Sequence, residues 1–447
     1  MPKISSSTSC GQALLDIVVT IGIFLILMHA VFSLVVVIYE SMGYAQVHLI
    51  ARHLATEKLE YLENLPYSQL GTSGGIPQGN IPEFETVERN GLNYTVHTSI
   101  TYIDDAYDGT APTDLLPTDY KQIRLEISWS GQYSSRAQPL VLVTTIAPKG
   151  LETAVSGGTL SVYVINAQAN PVTQAQVHIT NSAVTPAIDM TLQSNQDGRV
   201  ILPGAPSCAS CYHITITKTG YTRDKTYTTT EVANPNQRPI TISNGCISEG
   251  VFVIDELSDL LIATVNDREA NFAPLSNVSF RLTGSKQIGT NTDGDPVFKY
   301  DQELQTDGEG RLEIPNLEWD NYIITLLESS YTPSGITPSQ PFAIDPAQSI
   351  NLNMALSIKT PNSLLLNVKD PNGNSIASAS ANLSLTPDFI ATSSSGLKDD
   401  PDFGQVFFGG LSATTYTYTL SHPDYQSMTG TIPVAGNASE TIILPSK

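Results

Sequence analysis

A carboxylic acid, Asp16, stands near the start of an apolar run that extends to Tyr39, five residues after Gly11. An unpaired acid in hydrocarbon costs on the order of several kcal/mol and is usually kept for a partner. A cationic N-terminus from a neighbouring helix is a suitable one. Cys208, Cys211 and Cys246 form a second group with reactive side chains, and a fourth cysteine, Cys10, precedes the apolar run. A redox CxxC belongs at a helix start in a βαβ unit, whereas CASC (Cys208 to Cys211) is expected in the turn before a strand, so a structural disulfide is expected. The short loop suits Cys208 with Cys211, and Cys246 is the other candidate. Zinc would need a fourth ligand beyond the three thiols. A third group is acidic: DDAYDGTAPTDLLPTD holds Asp104, Asp105, Asp108, Asp114 and Asp119. Carboxylates around a turn glycine can hold Ca²⁺, but the spacing is not that of an EF-hand. Asp104, Asp105 and Asp108 are therefore weak calcium candidates, and a solvated turn is the expectation. The seven histidines include no HExxH, and neither a GxSxG elbow nor a phosphate loop occurs. No enzyme activity, resident metal or cofactor is expected.

These residues need elements to position them. Ile17 to Tyr39 has His29 as its only strongly polar side chain and is long enough as a helix to span a bilayer. Helical sequence continues through YAQVHLIARHLATEKLEYLENLPY, where Val47, Ile50, Ala51, Leu54, Ala55, Leu62 and Leu65 share one stripe. The spacing predicts one helix from about Ala13 to Leu65, stopped by Pro66, its first half in lipid and its second half on a folded head. Residues 72–150 then alternate as half-buried strands in ETVERNGLNYTVHTSITYIDD, TDYKQIRLEISWSG and PLVLVTTIAP, which predicts a small antiparallel sheet.

The string Cys10-Gly11-Gln12-Ala-Leu-Leu-Asp16, its apolar run and ATEKLEYLENLPY resemble type IV pilins and type II secretion pseudopilins. The resemblance implies that residues 1–11 are a leader cut after Gly11 by a prepilin peptidase. It implies that Gln12 becomes an N-methylated N-terminus and that Asp16 is the assembly carboxylate, meeting the amine of a neighbouring subunit. It further implies, as partners, other pilin subunits and an inner-membrane assembly machinery. The family's usual Phe or Met is Gln12 here, its usual Glu is Asp16, and the leader carries only Lys3 as a base. The long helix would cover residues 12–71, with its transmembrane part at about 17–39.

Beyond Pro148 the chain repeats itself. LSVYVINAQANPVTQAQVHIT, LIATVNDREANFAPLSNVSFRLT and LLNVKDPNGNSIASASANLSLT begin at Leu160, Leu261 and Leu365, 101 and 104 residues apart. That period is the size of one β-sandwich. DGRVILP, EGRLEIP and FGQVFFG follow, and Tyr212, Tyr322 and Tyr416 come 14, 12 and 12 residues after Gly198, Gly310 and Gly404. The glycines read as turn positions and the tyrosines as rings filling a core edge. These motifs resemble carboxypeptidase regulatory-like domains, which implies tandem transthyretin-like, Ig-like sandwiches at 156–254, 258–357 and 361–447. The module is an accessory one and implies no peptidase activity.

The predicted fold is therefore mainly β: a long N-terminal transmembrane α-helix, a small pilin-like antiparallel sheet, then three tandem sandwiches. With 22 Lys and Arg against 43 Asp and Glu, the charge of −21 disfavours direct nucleic-acid binding. Ile443 is followed by LPSK, so anchorage is expected through the N-terminus, with the amino end in the cytoplasm and the bulk outside. The expected role is a minor pilin or pseudopilin-like subunit that displays its sandwiches for adhesion, to a surface or glycan receptor, or for filament-tip architecture. The alternative is a surface protein that is anchored the same way and never polymerises.

Overall fold

The computed structural model describes residues 10–103, 119–130, 138–148, 157–385 and 389–447, with residues 10–18 as backbone. One α-helix runs unbroken over Cys10–Glu63, 54 residues, or about 80 Å at about 1.5 Å per residue. Its β-branched apolar residues cost some helix propensity, but nothing interrupts the 3.6 period until Pro66, which removes an N–H and restricts the residue before it. A short 3₁₀ turn, Tyr67–Gln69, follows.

The helix has two environments. From Val19 to Met42 its large apolar side chains are exposed: Phe24, Leu27, Phe32 and Tyr39 are 60, 59, 69 and 70% accessible. From Val47 onward the predicted stripe is covered. Val47, Ala51, Leu54, Ala55 and Leu62 are buried, and Ile50 and Leu65 pack beside them. Their partners are Tyr94, Val96, Ile100, Ile123, Leu125, Ile127 and Trp129 of a four-stranded antiparallel sheet. The strands, Phe84–Arg89, Leu92–Ile103, Tyr120–Trp129 and Leu140–Ile146, lie in sequence order. The first expected strand is in fact a hairpin, because Asn90 and Gly91 both take positive φ (51° and 76°). Asn-Gly suits this two-residue turn, since its twist matches that of the flanking strands.

Three β-sandwiches follow, each with its own apolar core. The chain is thus mainly β, with a single long N-terminal helix. In each sandwich the first strand is an inner strand of one sheet and pairs in parallel with the last strand. Gly158–Ile165 pairs with Ile247–Val253, Ser258–Asn266 with Ser349–Ile358, and Ser363–Lys369 with Asn437–Ile443. The opposite sheets are antiparallel, built around Gln176–Asn181, Ser279–Gly284 and Ser380–Leu385. Alternation along the strands directs Leu160, Val162 and Val164, or Leu364, Leu366 and Val368, into the cores.

The repeated glycines and tyrosines are structural. Gly198, Gly310 and Gly404 have φ of 71, 75 and 69°. A Cβ at Gly198 would lie 2.5 Å from the Val164 carbonyl oxygen, and one at Gly310 would lie 2.6 Å from that of Thr264. Tyr212 and Tyr322 bury their rings completely and donate their hydroxyls to the Pro206 and Glu318 carbonyls at 2.7 Å. Tyr416 is 2% exposed, and its hydroxyl accepts from the Ser412 amide at 2.9 Å. A further equivalence escaped the sequence reading: Ser194, Thr306 and Ser395 are buried hydroxyls that accept from the Ala175, Val278 and Ala379 amides. Ser194 and Ser395 also donate back, to the Val172 and Ile376 carbonyls, closing the same loop in the first and third sandwiches.

Candidate functional site

The chemistry-bearing residues Gly11, Gln12 and Asp16 lie within the helix. The Gly11–Gln12 bond falls in its first turn, which begins at Cys10. Gln12 and Asp16 are four residues apart, about one turn along the axis. Between Val19 and Met42 no other described part of the chain covers the apolar surface, and this stretch is long and apolar enough to cross a membrane. His29 is exposed on it. The surface ends where the packed stripe begins at Val47, so the helix passes from a lipid-suited part to a protein-bound part within about one turn.

The head grips the helix through ions as well as core. Lys58 meets Glu85 at 2.6 Å and Arg89 meets Glu57 at 3.5 Å. Lys121, which sequence reading passed over, is only 3% exposed and donates to the Tyr67 and Leu70 carbonyls at 2.8 and 2.6 Å. It closes the chain just after the helix end, where backbone acceptors lack helical donors. Burial lowers its pKa to about 8, while the Tyr67 and Tyr102 rings lie 4.5 and 5.3 Å from its ammonium. The only signal in the sequence was a lysine at a core-facing position of an alternating strand.

Cys208 and Cys211 form a disulfide, with Cα atoms 6.0 Å apart, and Cys246 is a free, exposed thiol. CASC is not the turn before the tyrosine strand but the start of that strand, Cys208–Thr217. Ser210 takes φ 52°, and the register against Ile240–Ile242 shifts there, so the motif is a bulge that still pairs. Asp104, Asp105 and Asp108 lie outside the described residues. Among the described residues no group of three or more His, Cys, Asp or Glu is placed to hold a metal ion.

The junctions between folded units are built interfaces, and no local pattern announced them. Ile76, on the loop between helix and sheet, is 1% exposed and belongs to the core of the first sandwich. Its loop is pinned there by Asp189 N–H donating to the Gly74 carbonyl at 2.9 Å and by Gln78 donating to that of Pro186 at 3.2 Å. Between the first and second sandwiches, Asn234–Pro235 pairs antiparallel with Gln287–Thr290. A Cβ at Gly289 would lie 2.3 Å from the Asn234 carbonyl oxygen, so this approach requires glycine. Lys286 and Lys299 both sit 2.8 Å from Glu318, and Lys286 also lies over the Trp319 ring. Asp224, facing this junction, has its pKa raised by burial against the opposing pull of Lys299. Between the second and third sandwiches, Arg268 grips Asp402 at 2.8 and 3.1 Å. Gln405 there makes both hydrogen bonds of a strand pair to Ile336, at 2.5 and 2.9 Å.

No protein-family model matches the chain, and no curated protein matches it in sequence. Among solved structures, the TIE protein of Bacillus anthracis is 13% identical, covering 81% of this chain and 74% of its own, at a TM-score of 0.19. The minor pilin GBS52 of Streptococcus agalactiae is 12% identical over 45% of this chain and 97% of its own, at 0.21. The shaft pilin SpaA of Lactobacillus rhamnosus, as its D295N mutant, is 10% identical over 46% and 100%, at 0.19. At these TM-scores the likenesses carry no argument about function.

Proposed function

We propose that the chain is a minor pilin or pseudopilin-like subunit of a type IV pilus or type II secretion-like filament. It acts by assembly and display rather than by catalysis. The observation that carries this reading is the divided helix: an uncovered apolar half beginning just past Asp16, continuous with a half clamped to a four-stranded antiparallel sheet. A helix that only anchored the protein would need neither the acid nor the rigid continuation. In this reading a prepilin peptidase cuts after Gly11, Gln12 is methylated, and the Asp16 carboxylate pairs with the new amine of a neighbouring subunit as the helices bundle in lipid. The sandwiches, whose kinship with regulatory-like modules rests on the glycine and tyrosine motifs, project outside the cell, and their docked junctions transmit reach without hinges.

Asp16→Ala tests assembly directly. The expected result is a protein that inserts stably in the membrane yet is missing from sheared filaments. A variant that enters filaments like the parent would contradict the reading and leave the plain surface anchor. Deleting residues 151–447 separates the outer roles: lost attachment with normal filaments marks adhesion, whereas lost filaments mark a part in assembly.

A further inference from the structure

Part of the outer face of the head sheet is covered, while Phe84, Val141 and Val143 on it stay exposed. His97, Ser99 and Thr101 of one strand and Gln122, Arg124 and Glu126 of the next are each half-buried, because the first sandwich stands over them. Between the two lies a cleft of about 580 Å³, whose other wall includes Gln176, Thr191, Gln193 and Arg199. The volume falls within the range of small-ligand sites, roughly 300–1,000 Å³. The cleft is held open from fixed points rather than left as slack between domains. The Ile76 loop is seated in the sandwich core and hydrogen-bonded to Asp189 and Pro186, and Tyr102 packs against the same core.

The lining selects a ligand class. Its charges are already compensated: Arg124 pairs with Glu126 at 3.1 Å, and Arg199 pairs with Glu249 at 2.5 Å while its guanidinium stacks over Tyr163. Among the described residues, the side chains of Gln122, Gln176, Gln193, Ser99, Thr101 and Thr191 have no hydrogen-bond partner. Amides and hydroxyls offer donors and acceptors together, which matches a ligand whose own groups do both. Tyr102, Leu192, Ile201 and Pro203 add apolar wall beside them. Among the described lining residues an anion would find no unpaired cation, and a cation no unpaired carboxylate.

We propose that this cleft binds a short, uncharged oligosaccharide, the head supplying one wall and the first sandwich the other. The site does not depend on polymerisation, so its failure and that of the filament reading are distinguishable.

The test uses the full chain in lipid nanodiscs free of glycosidic detergent. Maltotriose, cellotriose and triacetylchitotriose are the neutral probes, and sialyllactose and a Ser/Gln-rich peptide are the competitors, all read by calorimetry and saturation-transfer NMR. The expected result is saturable binding of at least one neutral trisaccharide. Gln122→Ala with Gln193→Ala should weaken it about tenfold or more, and Ser99→Trp, which fills the cleft, should abolish it. Amide exchange in the head sheet and in the first sandwich checks that each variant is folded; if one is not, Thr191→Ala, an exposed substitution, replaces it and should weaken binding severalfold. No binding of any neutral probe, binding insensitive to these substitutions, or preferential binding of sialyllactose or the peptide would each overturn the proposal.

Discussion

Replacing Ile76 by alanine should undock the head from the first sandwich without unfolding either. Ile76 is 1% exposed, and its neighbours in the core are sandwich residues. The substitution removes three buried carbons, about 2.4 kcal/mol at about 0.8 kcal/mol each. With the cavity term the range for such changes is about 2–5 kcal/mol. Because Ile76 reaches the core from a loop, that energy falls on docking before it falls on the sandwich. The Asp189 amide is the reporter, since it donates across the junction to Gly74 at 2.9 Å rather than within its own ladder. At tenfold per about 1.4 kcal/mol, its hydrogen exchange should accelerate roughly 30-fold or more. The Ile214 amide, hydrogen-bonded inside the sandwich to Thr226, serves as the control and should change far less. Equal acceleration of both amides would show that Ile76 supports the sandwich globally, and an unchanged Asp189 would show that the loop is not held by its side chain. Either result refutes the reasoning.

Two further outcomes follow from the same structure. Lys121 has a folded pKa of about 8, below the ordinary ammonium value of 10.5, so between pH 8 and 10 the unfolded chain binds more protons. Its contribution to stability therefore rises with pH across that window, and Lys121→Met should flatten the slope in pH-dependent urea melts of the full chain. Arg268→Ala or Asp402→Asn should loosen the junction of the second and third sandwiches by about 1 kcal/mol, less than for a fully buried pair because the arginine side chain is 42% exposed. Faster proteolysis around residues 359–362 reads this, and unchanged cleavage would assign the junction to Gln405 and packing alone.

The long helix was legible because one period runs without a breaker to Pro66, and all seven residues of the predicted stripe lie against the head sheet. The sandwiches were legible because Gly198, Gly310 and Gly404 each need a backbone that favours glycine, and the tyrosines recur at fixed distances from them. Periodicity reports which face of an element is buried, not what covers it. Hence Ile76 and Gln405, whose partners lie more than 60 residues away in sequence, gave no local sign. The same limit hid the cleft, whose glutamines and threonines read as solvent-facing positions on four different strands. CASC was misplaced because a bulge with one left-handed serine looks like a turn in sequence while the strand still pairs. Gly11, Gln12 and Asp16 were readable as types and spacing, and in the proposed reading their partner lies on another molecule.

The most direct test of the account is the mass of the mature N-terminus on protein isolated from cells with a prepilin peptidase. A chain that begins at N-methyl-Gln12, with residues 1–11 removed, is the predicted result. An intact Met1 or Pro2 would contradict prepilin processing and leave the helix as a plain membrane anchor.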